Sequence, residues 1–88
     1  MPALFPTGQI TSTPGVLEAI PRAVMVAALR RHLQGAWGLV DEADAKENDL
    51  SVREGFRILS VYEHEGIRFW LLTEADRSVT TYLLPSEY

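Results

Sequence analysis

Residues 67–85 read IRFWLLTEADRSVTTYLLP. Two apolar runs, Ile67 to Thr73 and Ser78 to Leu84, flank one charged turn, Glu74-Ala75-Asp76-Arg77. β-Branched and aromatic residues dominate both runs, the composition of strands rather than helices. Pro85 closes the second run because it has no N–H to give a ladder. Just upstream, Phe56 to Tyr62 has the same character, and Glu63 to Gly66 offers a short hairpin connection in which Gly66 supplies a positive φ. The last third of the chain therefore reads as a three-stranded antiparallel β-meander.

With both connections taken as four-residue loops, the register follows to within one residue. One face then carries Phe56, Ile58, Tyr62, Ile67, Phe69, Leu71, Tyr82 and Leu84. The other carries Leu59, Val61, Trp70, Leu72, Val79 and Leu83, with Arg57 and Arg68. The first face is richer and is expected to lie under helices. The second is too apolar for a solvated antiparallel face, which alternates toward polar residues. It needs a cover: the chain's own N-terminal half, a second copy or a partner protein.

The upstream sequence supplies the helices. Pro2, Pro6 and Gly8 make the first residues extended or irregular. Gln9 to Thr13 suits a short edge strand. Thr13-Pro14 reads as a helix start, with the Thr13 hydroxyl as cap and Pro14 in the first turn, and Pro21 stops that helix. Arg22 to Leu33 is the clearest helix. Val24, Ala27, Ala28 and Arg31 share one face, with Met25, Leu29 and Leu33 beside it. His32 is placed at the exposed helix end, and Gly35 just past it. The GAWG turn, Gly35 to Gly38, lets Trp37 fold back onto apolar surface. Asp41 or Asp44 caps a third helix that runs to about Glu54 and stops at Gly55. Asn48 faces inward or sits at the edge of its apolar face; if buried, its amide must be hydrogen-bonded. The whole is expected to be one α+β domain over residues 1–88: the meander, with a possible N-terminal edge strand, packed on two or three helices.

The chain has 88 residues, 47% hydrophobic and 23% charged, which suits a small globular domain. It has no cysteine, so disulfides and thiolate metal sites are excluded and a cytoplasmic location is expected. The sequence MPALFPTGQI lacks the basic and apolar regions of a signal peptide. No apolar run approaches the roughly 20 residues of a membrane span. Net charge is −4, with +2 in residues 1–40 and −6 in residues 41–88. An acidic chain is repelled by phosphate backbones. The helix that would enter a DNA groove carries Asp41, Glu42, Asp44, Glu47, Asp49 and Glu54 against Lys46 and Arg53, so direct nucleic-acid binding is not expected.

No cofactor or metal is expected either. His32 and His64 are the only histidines, and neither has a partner at metal-ligand spacing. Glu74 and Asp76 put two carboxylates on one turn beside Arg77. Such a pair can do acid–base work when burial splits its pKa values. The structural reading is preferred: Asp76 caps backbone N–H groups and Arg77 pairs with an acid. No Ser-His-Asp constellation is suggested.

Several stretches carry a resemblance. They are Gly8-Gln9 with Thr13-Pro14-Gly15, Arg31-His32 with Gly35 and Trp37-Gly38, Glu54-Gly55-Phe56-Arg57, and above all TEADRSVTT, Thr73 to Thr81, followed by Leu83-Leu84-Pro85 and Glu87-Tyr88. In these the chain resembles, over nearly its whole length, a family of small uncharacterised bacterial proteins carried mainly on plasmids and other mobile elements. The resemblance implies an accessory role in such an element and supplies no catalytic residues. The expectation is a non-enzymatic interaction protein that self-associates, as a homodimer or larger homo-oligomer, through Leu59, Trp70, Leu72 and Leu83. The alternative is a regulator or anti-defence protein whose acidic helix, residues 41–54 with Glu47 and Asp49, occupies a basic nucleic-acid-binding surface of a partner.

Overall fold

The computed structural model describes residues 2–88. In chain order it has β1 (Gln9–Ser12), α1 (Pro14–Ala19), α2 (Arg22–Leu33), α3 (Glu42–Glu54), β2 (Ile58–His64), β3 (Ile67–Thr73), β4 (Val79–Leu83) and a terminal 3-10 turn, Pro85–Glu87. The strands form one sheet in the order β1-β4-β3-β2. β2, β3 and β4 are the expected antiparallel meander, and β1 adds to β4 in parallel as the edge strand. The fold is α+β, a four-stranded mixed sheet against three helices.

The register places Ile58, Ser60, Tyr62, Phe69, Leu71, Thr73, Thr80 and Tyr82 on the face under the helices, and all are buried. One apolar cluster joins Tyr62, Phe69, Leu71 and Tyr82 to Val16 and Ile20 of α1 and Ala28 of α2. A second joins Ile58 to Phe5, Trp37 and the inner side of α3. Two sheet tyrosines also hold α2 and its end from below. Tyr82 donates its hydroxyl to the Met25 carbonyl, and Tyr62 donates to the Ala36 carbonyl, each at 2.7 Å.

Helix boundaries follow the caps. Asp41 accepts from the Asp44 N–H, and Gly55 takes the left-handed conformation that ends α3. At α1 the expected Thr13 cap is replaced. The Thr13 hydroxyl donates to Glu87, whose other oxygen accepts the Gly15 N–H. A side chain remote in sequence thus caps the helix and ties the terminal turn to it.

Four expectations need correction. The first strand of the meander begins at Ile58, two residues late, because Gly55 and the residues after it finish α3; Phe56 is consequently exposed. The first hairpin turn is only Glu65-Gly66, both with positive φ, since His64 still pairs with Ile67. The inner face of α2 runs Val24–Ala28–His32, so Ala27 faces solvent and Arg31 is exposed at the margin, its guanidinium over the Tyr62 ring. His32 is fully buried rather than exposed.

The two sheet edges differ. At β2 the Asn48 amide donates to the Leu59 carbonyl (2.8 Å) and accepts the Leu59 N–H (3.2 Å). The next outward pair, on Val61, is taken by the Trp37 carbonyl and the Leu39 N–H. Gly38 makes this approach possible. It has φ +78°, and a Cβ there would lie 2.0 Å from the Val61 oxygen. The β2 edge is therefore closed by the chain itself over these residues. Among the described residues the β1 edge has no such cover.

Candidate functional site

Two constellations stand out. The first is polar and enclosed. His32 Nδ1 lies 2.5 Å from the Ser60 hydroxyl, and Nε2 lies 2.9 Å from the Thr73 hydroxyl. Thr73 continues to Thr80 at 2.8 Å, and Thr80 to the Thr7 carbonyl at 2.8 Å. The carbonyl can only accept, so it fixes every proton along the chain. Thr80 donates to Thr7, Thr73 donates to Thr80, and Nε2–H donates to Thr73. That leaves Nδ1 to accept from Ser60. His32 is thus neutral with its proton on Nε2. Phe5 and Trp37 meet its ring edge-on at 5.2 and 5.9 Å. Burial pushes its pKa down to about 4.

A serine hydroxyl on a histidine resembles an activated nucleophile. Here Ser60 and His32 are both fully buried, and neither lines the groove along β2 or the smaller pocket beside Tyr62. Their hydrogen bonds are spent on holding α2, β2, β3, β4 and residue 7 together.

The second constellation is apolar and open. A groove of about 480 Å³ runs along the other sheet face beside β2. Leu59, Val61 and Trp70 line its sheet side, and the segment Leu39–Asp41 with Asp44 and Asn48 of α3 forms one wall. Arg68 and Pro85 line it as well. Segment 37–41 reaches this face because it is hydrogen-bonded along the β2 edge. Trp70 is half-buried, with Tyr88 against it edge-on at 5.5 Å. Leu39, beside it in the groove, is 52% exposed.

Of the expected interface residues, Leu59 and Trp70 line this groove, whereas Leu72 and Leu83 are buried within the chain. Part of the cover expected from the N-terminal half or a second copy is supplied by the C-terminal turn, which packs against β3. Leu39, Asp41, Asp44 and Pro85 were missed. Among the remaining lining residues, Arg68 and Val61 carried a signal through strand alternation, and Val40 and Asn48 through their places on the third helix.

The acidic helix is exposed as expected, and Glu47 is free on it. Asp49 is not free: it accepts the Trp37 indole N–H at 3.0 Å. Lys46 and Glu42 form an exposed i,i+4 pair.

At the turn, Asp76 accepts the Ser78 N–H, as expected, and hydrogen bonds from Ser78 hold its carboxyl below the usual carboxylate range. Arg77 does not pair with an acid. Its guanidinium donates to the carbonyls of Phe56 (2.6 Å), Ser51 (2.7 Å) and Glu74 (3.2 Å), and lies over the Phe5 ring. It closes the C-terminal end of α3, where unpaired carbonyls favour a cation. Glu74 instead pairs with exposed Arg57. Among the described residues no group of three metal-ligating side chains comes together, and no helix is long and apolar enough to cross a membrane. Comparison with known proteins finds no matching family model, no similar curated protein and no similar solved structure.

Proposed function

We propose that this chain is a non-enzymatic interaction protein, an accessory of a bacterial mobile element, that docks through the groove around Trp70. The observation that carries this reading is a half-buried tryptophan set among Leu59, Val61 and Leu39 in a concave surface. Tryptophan in an apolar pocket with a polar rim is the usual anchor of a protein interface. The titratable groups support it too. His32 is sealed in, Asp76 and Arg77 are committed to the backbone, and Glu74 lies outside both cavities. The mobile-element setting rests on the sequence resemblance, chiefly its TEADRSVTT segment.

Trp70→Glu tests the docking surface. Wild type and variant are sized across a concentration series and used to capture partners from a plasmid-bearing bacterial extract. The variant is expected to fold and to lose whichever complex the wild type forms. A complex that survives the substitution overturns the reading.

A second reading has its own observation. The exposed side of α3 carries Glu42, Asp44, Glu47 and Glu54, which suits the basic surface of a nucleic-acid-binding partner. Binding of that kind weakens steeply with salt. Glu47→Lys with Glu54→Lys is the appropriate reversal, because changing Asp49 would also release Trp37. Binding unchanged by that pair leaves the helix as a solvated face.

A further inference from the structure

We propose that the occupant of the Trp70 groove is a second copy of this chain, related by a twofold axis. The inference rests on the reading of the groove as a docking surface and names its partner.

The argument begins with charge. The groove carries both signs: Asp41 and Asp44 at the start of α3 and Arg68 on β3. Asp41 uses one carboxylate oxygen in capping the Asp44 N–H at 2.8 Å, whereas the Asp44 carboxylate has no hydrogen-bond or ion-pair partner among the described residues. Arg68 leans on Glu63, its cross-strand neighbour, at 3.3 Å, through its Nε alone. That pair is exposed and weak, and it leaves the terminal nitrogens of Arg68 for another acceptor. In a twofold interface residue i meets j and j meets i. One groove holding an unpaired acid and a base with nitrogens to spare satisfies that condition with itself. Arg68 of each copy meets Asp44 of the other.

Shape agrees with charge. Leu39 is a large apolar side chain, half-exposed, in a segment held firmly to β2 by two backbone hydrogen bonds. Leu39 lines the same groove as Arg68, Asp44 and Trp70, so a copy seated there meets Leu39 as well as the two charges. The adjoining β2 edge is closed by Asn48 and residues 37–39. Strand addition there is blocked, so contact across this groove is made by side chains.

The test uses the full chain and two charge reversals at exposed positions, Arg68→Asp and Asp44→Arg. Folding is checked by circular dichroism and oligomeric state by sedimentation over a concentration series. Wild type is expected to dimerise. Each variant alone juxtaposes like charges twice, and its dimer is expected to weaken by about tenfold or more. The equimolar mixture juxtaposes opposite charges at both contacts and is expected to recover wild-type dissociation as a heterodimer. Leu39→Glu provides a third, independent block should either reversal fail to fold.

A wild type that stays monomeric at millimolar concentration overturns the inference. The groove reading then survives if Trp70→Glu abolishes capture of a foreign partner. Reversals that dimerise like wild type, or a mixture that does not recover, also overturn it. A dimer that persists in Trp70→Glu sinks the groove reading itself.

Discussion

The molecule has two tryptophans, one on each side of the sheet, and they are treated differently. Trp37, on the helix side, is 5% exposed, donates its indole N–H to Asp49, and packs on Phe5 and His32. Around it, no buried side-chain nitrogen or oxygen lacks a partner among the described residues. Trp70, on the opposite face, is half-buried in an open groove with Tyr88 edge-on to it. The contrast separates two uses of buried surface. A region whose polar groups are all answered internally has nothing left to offer a ligand. A region with apolar surface uncovered and charges half-used has its best interactions still to make.

The largest test of this contrast is at His32. His32→Ala leaves a cavity, takes the acceptor from the Ser60 hydroxyl and removes one of the two partners of the Thr73 hydroxyl. We expect a loss of about 3 kcal/mol or more, read by chemical denaturation, a large share of the stability of so small a domain. Removing the partners as well should reverse much of it. His32→Leu with Ser60→Ala and Thr73→Val replaces the polar triad by apolar groups of similar shape, a change that can be nearly neutral. If the triple variant is no more stable than His32→Ala, the network does more than satisfy itself.

Acid should act on the same residue. The folded pKa of His32 is lowered from 6.5 to about 4. The unfolded chain therefore binds a proton at a pH where the folded one does not, and stability falls with pH from about 6.5 down to about 4. Over that window the loss is about 3 kcal/mol by linkage. Asp76 and Glu87 lie below the usual carboxylate range, held there by hydrogen bonds from Ser78 and Thr13, so their contributions fade at lower pH. Denaturation midpoints for wild type and the triple variant should diverge below pH 6.5. Parallel profiles would remove His32 as the cause.

Opening the closed edge should cost less. Asn48→Ala takes away both partners of the Leu59 backbone, for about 1–2 kcal/mol. It also exposes a stretch of strand edge, so the variant should associate more readily than wild type. A gain in aggregation without loss of stability would mean that the amide serves mainly as a guard.

Much of this arrangement was legible in the sequence. Strand alternation put Ile58, Tyr62, Phe69, Leu71 and Tyr82 under the helices and Leu59 and Trp70 on the other side, because period-two patterning is local. The Gly55 limit of α3 followed from its cap, while the start stayed open between Asp41 and Asp44, and helical spacing put Asn48 inward or at the edge. His32 was misread for a physical reason. A histidine in a last helical turn suits the dipole, and only Ser60 and Thr73, 28 and 41 residues downstream, make its burial possible. Those two looked like ordinary strand residues. The groove was half visible for the same cause. Its floor comes from adjacent strands, whereas Leu39, Asp41 and Asp44 reach it only through the pairing of residues 37–39 with the β2 edge.

The smallest expected effect is the most informative about the open face. Trp70 contributes to no buried polar network, and its ring is already partly in water. Trp70→Glu should therefore lower stability by about 1 kcal/mol or less, well under the cost of a core tryptophan, which runs to about 3–5 kcal/mol. The carboxylate can reach solvent through the groove, so it need not be buried uncharged. Association should respond in the opposite proportion, since an anchor in a desolvated interface is worth about 2 kcal/mol or more. Measuring both on one variant separates the two uses of the sheet. A large drop in stability with association unchanged would make Trp70 a core residue like Trp37. A small drop with association lost would mark the face on which the protein meets its partner.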